Sequence, residues 1–271
     1  MFARKRSIAC LLALLLTALA LLSACRTVPD ADGPSAAALP ALRIGSDEYL
    51  PYFYIDKDGD FAGIDVDLAR EACRRLGLRA EFYQITWNNK DEYLENREID
   101  CLWGSFSMSG REDRYTWAGP YMTSRQVLMV SDSSDIQTLA DLENRRVGVQ
   151  FTSKPDELFS AGADARYPQI KYLYCFSGTE DLLAALRKGY VDAIAGHETM
   201  LLEHMKTATR RYRILEEPLL EVSLGVAFAK TGDARLAEQL DRVLAEMRED
   251  GFVAEVLRRY GVDPERAVIP S

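Results

Sequence analysis

Apolar and β-branched residues gather in short runs along this chain, and between the runs the apolar positions recur at helical spacing. "LRIGS", "RAEFYQ" and "IDCLWGS" read as strands, with "IDVDLAREACRRLG" and "KDEYLENRE" as the helices between them. In the first helix Ile64, Leu68, Ala72 and Cys73 make an apolar stripe, Asp65, Asp67, Arg70 and Arg74 fall elsewhere, and Gly77 supplies a stop. Such alternation predicts βαβ units around a parallel sheet. The series then starts again with "RRVGVQ", "SKPDELF", "KYLYCF", "TEDLLAALRKG", "VDAIAG", "ETMLLEHMK" and "RYRIL". Two series predict two α/β lobes. The extended apolar segments "SRQVLMVSD" and "EVSLGVAFAK" are placed to run between them, and the helices "ARLAEQLDRVLAEMRED" and "GFVAEVLRRYG" close the chain. The predicted division puts the first part of lobe 1 at 42–129 and lobe 2 at 130–222, with a return strand and C-terminal helices at 223–271 completing lobe 1. A cleft lies between the lobes.

The N-terminal pattern is different. Arg4, Lys5 and Arg6 precede an apolar run from Ile8 to Leu22, shorter than the roughly 20 residues of a membrane span, which ends in Leu22-Ser23-Ala24-Cys25. Residues 1–24 read as a secretory signal, and the basic start, apolar middle and Leu-Ser-Ala-Cys together resemble a bacterial lipoprotein signal. That resemblance implies cleavage before Cys25 and a thioether-linked diacylglycerol on it; an ordinary secretory cleavage would leave a plain thiol. Residues 25–41, rich in Ala, Pro, Asp and Ser, cannot bury enough surface to offset the entropy of ordering them and read as a flexible tether. From Leu42 roughly 230 residues remain, enough for two lobes with cores.

Charge narrows the partners. The chain carries 33 basic and 42 acidic residues, a net −9 that becomes −12 once the three basic residues of the signal leave. Nucleic acid is excluded as a partner, and an anionic membrane surface repels such a body, so the lipid must supply attachment. Of five cysteines, Cys73, Cys101 and Cys175 lie in the folded part; their spacing matches no metal motif and their odd number allows one disulfide at most. Buried free thiols are the first reading and a Cys73–Cys101 disulfide the second. With two histidines in the chain, a histidine metal site is not expected, and no cofactor is implied.

Candidate chemistry gathers where strands end, because in open α/β sheets ligands bind beyond the carboxyl ends of the strands. "DCLWGSFSMSGREDRYTWAGPY" carries an apolar strand into Gly104, Ser105, Ser107, Ser109 and Arg111. Glycine lets a ligand approach the backbone, serine hydroxyls donate to a carboxylate, and a guanidinium grips one with paired N–H bonds. An α-carboxylate uses all three.

From Leu42 to Gly261 the chain resembles the bacterial family 3 extracellular solute-binding proteins, the polar amino acid receptors of ABC importers. The resemblance rests on "RIGSDEYLPYFY", "DGDFAGIDVDLAREACRRLGL", "REIDCLWGSFSMSGRED", "YTWAGPYMTSRQVLMV", "TLADLENRRVGVQ", "LRKGYVDAIAG", "LGVAFAK" and "DGFVAEVLRRYG", in the family's order. It implies a type II periplasmic-binding-protein fold of two α/β lobes joined by two crossing strands. It also implies a monomeric, non-enzymatic receptor on the extracytoplasmic face of the cell membrane that binds an amino acid or similar zwitterion and delivers it to permease subunits. Some relatives on the same scaffold are cyclohexadienyl dehydratases, which makes a prephenate or arogenate dehydratase the alternative, with Glu198 or His197 as acid or base.

Residue by residue, the resemblance implies that Tyr49 and Tyr52 face the ligand's side chain, that Gly104, Ser105 and Ser107 offer backbone and hydroxyls, and that Arg111 holds the α-carboxylate. "SMSGR" is one residue shorter than the family's loop, and Arg111 could instead pair at the surface with Glu112 or Asp113. Thr152 stands where the family has glycine, and Ser153 keeps a hydroxyl suited to ligand contact or to capping a helix. His197 stands where the family's ammonium-binding aspartate ends a strand; Glu198 beside it could reach in its place, and His197 could be structural. Trp87 opens a loop at a strand end and is a candidate for the cleft wall, Trp117 is expected in the core, and Trp103 is open to either side.

Overall fold

The computed structural model describes residues 39–162 and 166–269. The signal (1–24), the lipidation site Cys25 and nearly all of the 25–41 tether lie outside the described residues.

The first half of the chain builds three parallel strands, β1 (Ala41–Ser46), β4 (Arg79–Gln84) and β5 (Cys101–Leu102), with a small hairpin of β2 (Tyr54–Ile55) and β3 (Phe61–Ala62) beside them. Helix α1 (Ile64–Leu76) crosses from β3 to β4 with Ile64, Leu68, Ala69, Ala72 and Cys73 buried, and Gly77 ends it in the left-handed conformation. Asp65, placed by periodicity among the polar positions, is instead 1% exposed. A carboxylate tolerates that only with donors, and Asp65 accepts the Ser105 N–H at 2.6 Å. The second half repeats the plan with β7 (Arg146–Gln150), β8 (Tyr172–Phe176) and β9 (Ala193–His197), separated by α3 (Lys154–Ala161) and α4 (Thr179–Lys188). Helix α2 (Lys90–Glu95), after a 3₁₀ turn at Trp87–Asn89, is shorter than its periodic pattern.

Two long strands join the halves. β6 (Thr116–Ser131) is 16 residues long, roughly 50 Å at about 3.3 Å per residue, and pairs antiparallel with β11 (Leu220–Phe228) over its first two thirds. Its far end pairs with β9 and with β10 (Tyr212–Ile214). The curled sheet runs β4-β1-β5-β11-β6-β9-β7-β8, so a mixed α/β fold of two lobes shares two crossing strands. β6 begins well before "SRQVLMVSD" because Pro120, lacking an N–H, falls where the register slips between Leu224 and Val226 and leaves no ladder bond unmade. Helices α6 (Ala234–Glu249), α7 (Phe252–Arg259) and α8 (Pro264–Ala267) follow, with Leu240, Leu244, Val256 and Leu257 in the same core cluster as the α1 stripe. Between β9 and β10 lies α5 (Glu198–Thr207). Cys73 and Cys101 are buried free thiols and form no disulfide; Cys175 is also free but exposed, because β8 is the outer strand of the sheet.

Candidate functional site

Four strands aim their carboxyl ends at one point between the lobes. β1 delivers Asp47 and Tyr49, β5 delivers Gly104 to Ser107, β7 delivers Gln150, and β9 delivers His197; all of these line one interlobe cavity of ≈ 30 Å³. The crossing strand adds Gln126, which the β6–β9 register sets opposite His197. A wider groove of ≈ 730 Å³ shares Asp47 and Trp87.

The β5 loop is fixed by close packing and by backbone strain. A Cβ at position 104 would lie 1.8 Å from the Ser46 hydroxyl oxygen, so only glycine lets β1 and this loop meet. Ser105 has φ 46°, a left-handed conformation costly for a side-chain-bearing residue, and the buried Asp65 carboxylate stabilises it through the Ser105 N–H. The Ser107 hydroxyl is buried with no hydrogen-bond partner, and its carbonyl accepts from Arg111 Nη1 at 3.2 Å.

Arg111 is 3% exposed and turned inward. Its guanidinium lies over the Phe106 ring at 5.0 Å, Nη2 donates to the Thr152 carbonyl at 3.1 Å, and Nε pairs with Glu157 at 2.8 Å. The Trp117 indole donates to the Arg111 carbonyl at 3.1 Å and fixes the turn that carries it. The shorter "SMSGR" loop therefore still points its arginine into the cleft, and the surface pairing with Glu112 or Asp113 does not form; the Glu112 carboxylate accepts the Gly110 N–H instead.

On the second lobe Thr152 has φ 58°, held there by three contacts: its N–H donates to Asp156, its carbonyl accepts from Arg111, and its hydroxyl accepts from Lys90 Nζ at 2.9 Å. Ser153 caps α3 by accepting the Asp156 N–H and also lines the cavity. Trp87 lines the cavity edge-on to Phe106, with ring centres 5.0 Å apart.

His197 is 7% exposed, and burial pushes its pKa down to about 3, so the imidazole is neutral. Its Nδ1 meets the Ser124 hydroxyl at 2.9 Å and its Nε2 meets Gln126 Nε2 at 2.9 Å. Gln126 Nε2 also lies 3.2 Å from Nδ1, so the amide faces both ring nitrogens while Ser124 meets Nδ1 alone. Tyr49 lies edge-on to the ring, and its hydroxyl accepts the His197 N–H at 3.3 Å. Tyr52 is fully buried behind them, 5.8 Å from the imidazole, and does not line the cavity. Glu198 turns the opposite way: it pairs with Arg125 at 2.9 Å and Arg266 at 3.6 Å in a separate groove. One residue past a strand end, the start of α5 directs it to the other side.

Sequence reasoning passed over Asp47, Lys90, Gln126 and Gln150. Asp47 is 9% exposed, accepts from Gln150 Nε2 at 2.5 Å across the lobes, and burial pushes its carboxyl up to about 7. A polar residue where an apolar strand ends was the available signal, Asp47 just after "LRIGS" and Gln150 as the last residue of "RRVGVQ". Lys90 and Gln126 gave none, since each sits in a segment whose pattern fits an ordinary helix or strand. Among the described residues no group of three or more His, Cys, Asp or Glu side chains could hold a metal ion.

Two α/β lobes, two crossing strands and a polar cavity at the strand ends define a binding protein of the type II periplasmic class. The chain belongs to the bacterial extracellular solute-binding proteins, family 3, whose model matches residues 42–263. It is 27% identical to the L-cystine-binding protein TcyA of Bacillus subtilis, over 81% of this chain and 80% of that one. The histidine-binding periplasmic protein of Salmonella typhimurium is 28% identical, over 83% and 89%. A solved structure of Tv2483 bound to L-arginine superposes with a TM-score of 0.75 at 28% identity, covering 82% of this chain and 91% of the other.

Proposed function

We propose that the protein is the lipid-anchored, extracytoplasmic receptor of an ABC importer and binds an amino acid in the interlobe cleft. The observation that carries the reading is Arg111, a buried guanidinium facing a cavity beside the unpartnered Ser107 hydroxyl, as a ligand carboxylate requires. Gly104, Ser105, Thr152 and Ser153 complete that end; Tyr49 and Trp87 shape the walls, and Tyr52 packs behind Tyr49 and His197. Asp47 takes the ligand's ammonium, because a neutral His197 cannot and Glu198 is committed elsewhere. The family and the cystine-, histidine- and arginine-binding relatives support this class of ligand. Among the described residues no helix is long and apolar enough to cross a membrane.

The lobes divide at 129/130 and 222/223, inside β6 and β11, and closure about those strands presents a monomeric receptor to the permease. The dehydratase alternative loses its named groups, since His197, pushed down to about 3 by burial, has no proton to give and is a weak base, and Glu198 faces away from the cleft.

A thermal-shift screen of amino acids followed by calorimetry tests the reading. A ligand at 100 times its dissociation constant stabilises by about 2.7 kcal/mol. Arg111→Ala is expected to weaken that ligand by roughly 1.5–3 kcal/mol, about 10- to 150-fold. Unchanged affinity in that variant would remove the carboxylate clamp.

A further inference from the structure

The cleft contains a second buried cation that a single carboxylate leaves unused. Lys90, at the start of α2, is 3% exposed, yet its ammonium meets only the Thr152 hydroxyl at 2.9 Å and the face of Trp87 at 5.2 Å. The carboxylates around it are engaged with other groups. Asp91 accepts from the Tyr115 hydroxyl and lies 4.0 Å from Arg114, while Glu157 serves Arg111, Arg114 and Lys154. Asp47 accepts from Gln150. Lys90 makes no ion pair among the described residues. Burial pushes its pKa down only to about 8, so at neutral pH it is mostly charged.

An ammonium shut away from water beside a hydroxyl is under-compensated, and an incoming anion relieves that. The geometry says where the anion would sit. Lys90 and Arg111, both from the first lobe, converge on one residue of the second, Lys90 on the Thr152 hydroxyl and Arg111 on the Thr152 carbonyl. Those two oxygens are separated by the carbonyl carbon, Cα and Cβ, a span of the same order as that between the two carboxyl groups of aspartate or glutamate. The other cations beside the cavity, Arg111 and Lys154, both pair with Glu157, which leaves Lys90, among the described residues, as the ammonium there without a carboxylate partner.

We propose that Lys90 is a second anion-binding group of the cleft and that the ligand is a dicarboxylic amino acid, whose second carboxylate replaces the Thr152 hydroxyl at Lys90. This rests on the amino-acid reading given above. It makes Lys90, which lies outside the wall of the small cavity, the residue that selects among amino acids once the lobes part.

Calorimetry at pH 7 with L-glutamate, L-aspartate, L-glutamine and L-asparagine tests it, alongside the full amino-acid screen. The expected result is that a dicarboxylate binds at least tenfold more tightly than its own amide and than any neutral or basic amino acid. Lys90→Met, which keeps the stem and removes the charge, is expected to shrink the acid-to-amide ratio below about threefold, whatever it does to either affinity alone. A wild-type protein that prefers an amide, a neutral or a basic amino acid overturns the proposal without any variant, so a misfolded Lys90→Met cannot rescue it. So does an unchanged ratio in a folded variant. In both cases the amino-acid reading stands, whereas failure of every amino acid to bind ends both.

Discussion

At the scale of single residues, the site works through buried groups whose charge state is set by burial. The Asp47 carboxyl is pushed up to about 7 from its ordinary 3.8, chiefly by desolvation and against the donation from Gln150. A folded state that holds its proton longer than the unfolded chain loses stability as pH rises, here between about pH 4 and pH 7. Asp47→Asn removes that loss, so the ligand-free variant is expected to melt about 2–8 °C above wild type at pH 8, with the gap narrowing towards pH 4. Calorimetric melting at both pH values checks it; an equal gap at the two would mean that the carboxyl titrates in the fold as it does in the unfolded chain. The same variant should bind the ligand more weakly. Asp65, also pushed up to about 7 by burial, adds to the fall in stability with pH, and His197, pushed down to about 3, opposes it, so the comparison with Asp47→Asn and not the wild-type curve alone isolates Asp47. Arg111 and the glycine and serines before it were legible in the sequence because a strand that breaks into small polar residues has few uses. Asp65 was not, since helical periodicity assigns it to solvent and a partner 40 residues away decides otherwise.

At the scale of elements, local rules explain most of what forms. Ser153 caps α3, Pro155 occupies its first turn and Asp156 folds back to the Thr152 N–H. Ser153→Ala is expected to cost about 0.5–2 kcal/mol, a fall of about 1–8 °C in melting temperature, whereas Ser153→Gly should cost only a few tenths of a kcal/mol. Equal losses in the two variants would show that the cap is not what the hydroxyl supplies. The elements misjudged from the pattern are those that bend to meet the other lobe. β5 keeps two paired residues because the chain turns at Ser105 towards the interlobe cavity, and Arg97 ends the α2 segment early with φ 58°. β6 runs longer than its apolar stretch because its partner β11, about 100 residues later, continues the ladder through the bulge opposite Pro120.

At the scale of the whole molecule, the lobes meet through direct contacts: Arg111 and Arg114 to Glu157, Lys90 to Thr152, and Asp47 to Gln150. A cavity of ≈ 30 Å³ has room for a few water molecules and not for an amino acid, so a ligand enters only when the lobes part along β6 and β11. X-ray scattering is expected to give a smaller radius of gyration with bound ligand than without, and an identical radius in both states would exclude closure by lobe movement. By itself the sequence determined two α/β halves, their crossing segments and the inward loop ending in Arg111, because periodicity, turn residues and strand ends are properties of neighbouring positions. Only the tertiary structure decided that Glu198 faces away, that His197 is neutral, and that Asp47 and Lys90 stand in the cleft. Burial and charge compensation there come from residues far apart in the chain, and no local pattern records which side chain will lose its water.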